Sequence, residues 1–286
     1  MLPITSPQNP RVKDAVRLRD RRHREKQGRI LIDGARELRR AVAAGVKLLE
    51  TFVCEPACQS DDARRLLAEL PRCGGEVLEV SRPVFEKLAF GQRAEGLLSV
   101  AEMPRPTLTE IGNSRGLTAP GAAPLIAILE CIEKPGNVGA VLRSADAAGV
   151  AAVIVADPRT DLYNPNTIRA SLGTIFTMPV CEAASGEVLA WLRQRKVRIF
   201  AARVDGAVPY TEVDYRGPTA IVLGSEADGL SPIWTGDDVS AVRLPMLGAA
   251  DSLNVSVAAA VLFYEALRQR GADVRQAQSP RAGLLM

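Results

Sequence analysis

One histidine, His23, is all the imidazole this 286-residue chain carries, and it stands among arginines. The commonest general base and most zinc catalysis are thereby excluded. Cys54, Cys58, Cys73, Cys131 and Cys181 are odd in number, and none is spaced C-x-x-C. They read as buried or free thiols, with no metal expected. No apolar run approaches the roughly 18 residues of a membrane span, and the start MLPITSPQNPRVK lacks a secretory stretch, so a cytoplasmic protein without a membrane partner is expected. GxGxxG after a first strand is absent, as is GxxxxGKS/T. These absences argue against a nicotinamide oxidoreductase and a P-loop enzyme.

What is present suits two globular domains: 47% hydrophobic and 24% charged residues. The net charge of +3 is unevenly spread. Between Arg11 and Arg29 nine residues are basic and three acidic. Arg11, Lys13, Arg17, Arg21, Arg22 and Arg24 in that stretch are candidates for RNA phosphate contact.

Residues 1–103 read as a small α/β module. It opens with a basic helix from about Pro10 to Lys26, then alternates strands such as ILID, LETFVCE, GEVLEVS and GLLSVAEM with helices. Residues 104–124, PRPTLTEIGNSRGLTAPGAAP, are rich in Pro, Gly, Thr and Ser with little apolar periodicity, and read as a linker. From 125 to 270 apolar strands (PLIAILECI, AAVIVAD, VRIFAARV, TAIVLG, AVRLPM) interleave with helices, the last being SVAAAVLFYEALRQR. This pattern predicts a mostly parallel sheet covered on both faces. Residues 271–286 read as a loose tail.

In such a sheet chemistry belongs to the loops after the strands. In EKPGNVGAVLRSADAAG, Asn137 is suited to N-cap a helix carrying Arg143. In IVLGSEADGLS, Gly224 permits close backbone approach to a ligand, and a following helix would offer its N-terminal amides. In LPMLGAADSLNVSVAAAVLFYEA, Ser252, Asn254 and Ser256 crowd the start of a small-residue helix, more polar groups than a cap needs.

In this order, NVGAVLRSA, VLGSEADGL and LPMLGAADSLNVSVAAAVLFYEAL resemble the three signature motifs of the SpoU (TrmH-like) RNA ribose methyltransferases of the SPOUT superfamily. YNPNTIRASLGTIF and FTMPV also look like that family, and the N-terminal module is similar to its ribosomal-protein-like substrate-binding domain. The resemblance implies an α/β fold with a deep trefoil knot. It also implies S-adenosylmethionine bent against main-chain groups at Leu223, Gly224, Leu244, Met246 and Leu253, with Glu226 close by, and a homodimer. Arg143 matches the family's catalytic arginine. It is expected to grip the target ribose and adjacent phosphate, with Asn137 holding it in place and Ser252 and Asn254 binding phosphate or ordering the cofactor pocket. The expected substrate is 23S ribosomal RNA, in some relatives a route to antibiotic resistance. A tRNA substrate and a non-catalytic RNA-binding module are the alternatives.

Overall fold

A computed structural model describes residues 3–90 and 95–271. The chain forms two units, one of residues 1–105 with 163–177 and one of 106–162 with 178–286. The expected tail beyond Gly271 lies outside the described residues.

The first unit runs α1 (Pro10–Arg17), α2 (Arg21–Gln27), β1 (Arg29–Asp33), α3 (Ala35–Ala43), β2 (Leu48–Val53), α4 (Asp61–Glu69), β3 (Glu76–Glu79), α5 (Arg82–Leu88) and β4 (Leu97–Glu102). Its sheet has the order β1-β4-β2-β3, with β4 antiparallel to both neighbours and β2 parallel to β3. Phe52, Leu78, Phe85 and Leu98 fill one core. Each fully buried side chain of this kind contributes about 1.5–3 kcal/mol.

The single basic helix expected over Pro10–Lys26 is instead two. Asp20 caps α2 by accepting the Arg22 N–H at 2.8 Å, which requires extended backbone at Asp20 and breaks the helix there.

The second unit opens with α6 (Leu108–Gly112) and α7 (Arg115–Thr118), inside the stretch expected to be a linker. Thr107 and Glu110 form a reciprocal capping box, and Ile111 is buried in this unit's core. Then come β5 (Leu125–Glu130), α8 (Pro135–Ala147) and β6 (Ala152–Ala156). The YNPNTIRASLGTIF stretch forms α9 (Pro165–Ala170) and α10 (Thr174–Thr177), which pack on β1 and α3 as part of the first unit. β7 (Val180–Ala183), α11 (Ser185–Gln194), β8 (Arg198–Ala202), β9 (Val208–Pro209), β10 (Thr219–Leu223), β11 (Val239–Arg243) and α12 (Val255–Gln269) complete the second unit.

Its sheet has seven parallel strands in the order β7-β6-β5-β10-β8-β11-β9. Every residue of β5, β6 and β10 is buried, as a sheet covered on both faces requires. β11 ends at Arg243, so Leu244 and Met246, expected within a strand, lie in the loop beyond it.

Candidate active site

The carboxyl ends of β8, β10 and β11 border a cavity of about 540 Å³. Open parallel sheets bind ligands at such ends, and the volume falls in the roughly 300–1,000 Å³ range of small-molecule sites. Leu223, Gly224, Glu226, Leu244, Met246 and Leu253 all line it, as does Ser252.

Gly224 is required by its surroundings. A Cβ there would overlap the Gly229 carbonyl, because Ser225 and Gly229 exchange backbone hydrogen bonds of 3.0 and 3.1 Å that fold the loop back on itself. This hairpin replaces the helix expected after Gly224; the next helical residues are a short 3-10 turn at Pro232–Thr235. Its far end is tied to β5. The buried Glu130 carboxylate accepts from the Ser231 N–H and Oγ, the Ser185 Oγ and the Trp234 Nε1, at 2.7–2.8 Å. A buried carboxylate with this many donors is satisfied, and it fixes the loop as a structural anchor.

The three sequence motifs meet at Glu226. Its carboxylate accepts from Lys134 Nζ, from Asn137 Nδ2 at 2.7 Å and from Asn254 Nδ2 at 2.7 Å. The Lys134 hydrogen bond chiefly holds the carboxyl below its ordinary pKa, with Asn137 and Asn254 adding to it. Glu226 is therefore a charged tie between loops and a poor proton acceptor.

Asn254 also N-caps α12, accepting the Ser256 N–H at 3.0 Å and its hydroxyl at 2.6 Å. Asn137 is not the cap of α8. Pro135 occupies the first turn with Lys134 before it, which places Asn137 inside the helix with its amide free to reach Glu226.

Arg143 lies six residues further along α8, about 9 Å by helical rise. It is exposed, does not line the cavity, and makes no hydrogen bond or ion pair among the described residues. Ser252 is likewise without a side-chain partner there.

Sequence reasoning missed Ala202, Arg203, Val204 and Asp205, which form the cavity wall beyond β8. Arg203 grips Asp205 through two 2.8 Å hydrogen bonds, which hold that carboxyl below its ordinary pKa. Their position at a strand's carboxyl end was the readable signal. Burial pushes the Cys58 thiol up to about 11 and the Cys181 thiol to about 12, so neither is activated.

The basic stretch divides in two. Arg24 is a correction to the RNA-contact set: it is buried, with Nη1 donating to the Leu18 carbonyl at 2.6 Å, so its head serves the turn between α1 and α2. Arg11 pairs with Glu76 at 2.7 Å and Arg21 with Glu25 at 2.6 Å. Lys13, Arg17 and Arg22 are exposed, and so is Lys26; none of the four makes a side-chain hydrogen bond or ion pair among the described residues. They form i, i+4 pairs on α1 and on α2.

Comparison with known proteins adds a common theme. Residues 124–264 match the model of the SpoU rRNA Methylase family, and residues 9–99 match an MRM3-like substrate binding domain. A 23S rRNA (guanosine-2′-O-)-methyltransferase from Vibrio cholerae is 33% identical, over 79% of this chain and 91% of the relative. A crystal structure described as an RNA 2′-O ribose methyltransferase is 43% identical with a TM-score of 0.81, covering 94% of this chain and 99% of its own. The SpoU methyltransferase AviRb of Streptomyces viridochromogenes, solved with AdoMet, is 30% identical with a TM-score of 0.80, covering 92% and 98%.

Proposed function

We infer, because the chain belongs to the SpoU family of RNA 2′-O-ribose methyltransferases, that it transfers a methyl group from S-adenosylmethionine to one ribose 2′-hydroxyl of 23S ribosomal RNA. The observation that carries the reading is the convergence of the three motif loops on Glu226 at the rim of the cavity. The ribosomal RNA substrate rests on the rRNA-modifying relatives and on the N-terminal match to a substrate-binding domain. A cytoplasmic location belongs to the same reading, since such a substrate supports it. Among the described residues no helix is long and apolar enough to cross a membrane.

The cavity fits the cofactor. Leu223, Leu244, Met246, Leu253 and Leu262 offer apolar walls for an adenine, while Asp205, Glu226 and Asp251 give a negative rim suited to a cationic amino-acid end. S-Adenosylmethionine supplies a methyl group on a sulfonium, a leaving group that needs no acid. The chain's task is to orient the 2′-hydroxyl and draw away its proton.

Glu226, committed to three donors, holds the loops. Arg143 grips the ribose and its phosphate and lowers the hydroxyl's pKa, while its own guanidinium stays protonated. Asn137 keeps α8 in register with the cofactor loop, and Ser252 and Asn254 order the third loop beside the cavity. Threading of that third loop as a trefoil knot belongs to this reading.

RNA is held by Lys13, Arg17, Arg22 and Lys26, whose side chains make no ion pair among the described residues. A homodimer is supported by Val257 and Tyr264, which lie 48% and 51% exposed seven residues apart on α12, with Leu253 39% exposed just before that helix; the two helix residues share a face that nothing covers among the described residues. Light scattering reads the dimer directly, and a mass of one chain would refute it.

The function is tested with labelled S-adenosylmethionine on unmodified ribosomal RNA and bulk tRNA side by side, followed by mapping of alkali-resistant riboses. Label at one 2′-O position of 23S RNA is expected. Label in tRNA alone overturns the substrate, and label in neither leaves an RNA-binding module.

A further inference from the structure

We propose that Arg159 is a positioning residue that fastens the cofactor-loop hairpin at residues 225–229 to the loop leading into α8, so that the cavity and the helix bearing Arg143 keep one geometry. The proposal rests on the reading of the cavity as the S-adenosylmethionine site.

Arg159 follows β6, just past Asp157, whose φ of 42° turns the chain sharply at the strand's carboxyl end. Its Nη1 donates to Glu133 Oε1 at 2.6 Å and to Asp228 Oδ2 at 2.9 Å. Glu133 directly precedes Lys134, the residue that grips Glu226, and stands two positions before Pro135 at the start of α8. Asp228 sits inside the hairpin and lines the cavity, and its own N–H is held by Ser225 Oγ at 3.0 Å.

One side chain from beyond β6 thus ties together the loops that follow β5 and β10, three strands adjacent in the sheet. Without the cation, Glu133 and Asp228 would be like charges with nothing between them, so its removal loses attraction and adds repulsion. The guanidinium is held protonated, its pKa raised chiefly by the Glu133 hydrogen bond and then by Asp228. Lysine carries a point charge without the planar fork and replaces such a bridge only in part.

The loop's other fastenings act elsewhere. Glu130 secures it at Ser231, and Lys134 with the two asparagines secures Glu226. Arg159 secures its middle. The three bridge side chains are 45–64% exposed, so the effect is modest and weakens with salt.

Two measurements on the full chain test this in the unaltered protein, Arg159→Gln and Arg159→Lys. The first is hydrogen exchange of the ligand-free protein at the Ser225, Asp228 and Gly229 amides. The second is calorimetric titration with S-adenosylmethionine, followed by KM and kcat. In Arg159→Gln those amides exchange faster, and the cofactor's Kd and KM rise about fivefold, as expected for a half-exposed two-partner bridge. At saturating cofactor kcat stays within about twofold of the unaltered protein. Arg159→Lys falls between the two, and adding Asp228→Asn to Arg159→Gln brings little further loss.

Unchanged exchange at the hairpin, or fully additive losses in the double variant, overturns the proposal. If the unaltered protein takes up no S-adenosylmethionine, the cofactor reading fails, and the exchange rates alone then uphold or overturn the bridge.

Discussion

In the second unit Glu226 is held by donors from two other motifs and Arg159 bridges two carboxylates, whereas in the first unit Lys13, Arg17, Arg22 and Lys26 stand exposed and, among the described residues, unpaired. The contrast follows from what each region must do. A methyl transfer needs reacting atoms held in near-attack geometry, so polar groups around the cavity are spent on one another and fix the loops. Phosphate binding gains by releasing counterions, and a cation already paired within the protein has less to offer. Arg143 is the exception: it belongs to the second unit by position but, like those cations, has no hydrogen bond or ion pair among the described residues, as the role proposed for it at the RNA requires.

The largest expected effect breaks the comparison at that exception. Arg143→Ala should lower turnover by about 10²–10⁴-fold, the range for losing a group that acts on the reacting hydroxyl. Cofactor affinity measured by calorimetry should be unchanged, because Arg143 neither lines the cavity nor ties its loops. Loss of cofactor binding in that variant would refute the division of roles.

A second contrast concerns acid. Burial raises the Asp33 carboxyl to about 6, only partly offset by the Phe90 N–H and by Arg169, with Glu95 and Glu37 adding to the rise. An acid whose folded pKa exceeds its ordinary 3.8 stabilises the fold most below that pH, and the contribution is lost as pH climbs through 6. Glu226 has the opposite sign: its lowered pKa gives stability that is present at neutral pH and lost as pH falls through that value. Chemical denaturation across pH 4–7 should therefore show Asp33→Asn gaining on the unaltered protein as pH rises, by on the order of 2 kcal/mol. Parallel curves for the two proteins would remove Asp33 as the source.

Much of the sheet was readable because β5, β6 and β10 are buried on both faces and so appear as unbroken apolar runs. β11 is half exposed, and the apolar signal there came from Leu244 and Met246, which are apolar because they line the cavity. A strand and a ligand wall are both apolar, and hydropathy does not separate them. The helices at 104–124 were hidden by Pro, Gly and Ser content, although Thr107 and Glu110 carry a capping-box spacing that marks a helix start.

Asn137, Glu226 and Asn254 were legible as motif residues, yet their meeting point was not, since nothing local specifies a contact across sequence separations of 89 and 117. Lys134 was missed as the third donor for the same reason. Arg24 was misassigned because a basic run does not reveal which of its members turns inward; the turn at Asp20 decides that.

The division between a preorganised chemical site and a solvated RNA-binding face is tested most directly by one fourfold variant, Lys13→Gln, Arg17→Gln, Arg22→Gln and Lys26→Gln, titrated separately with 23S RNA and with S-adenosylmethionine. RNA affinity should fall about tenfold or more with a salt dependence shallower by roughly three in log–log slope, while the cofactor's Kd stays that of the unaltered protein. Unchanged RNA affinity and salt slope would contradict the account.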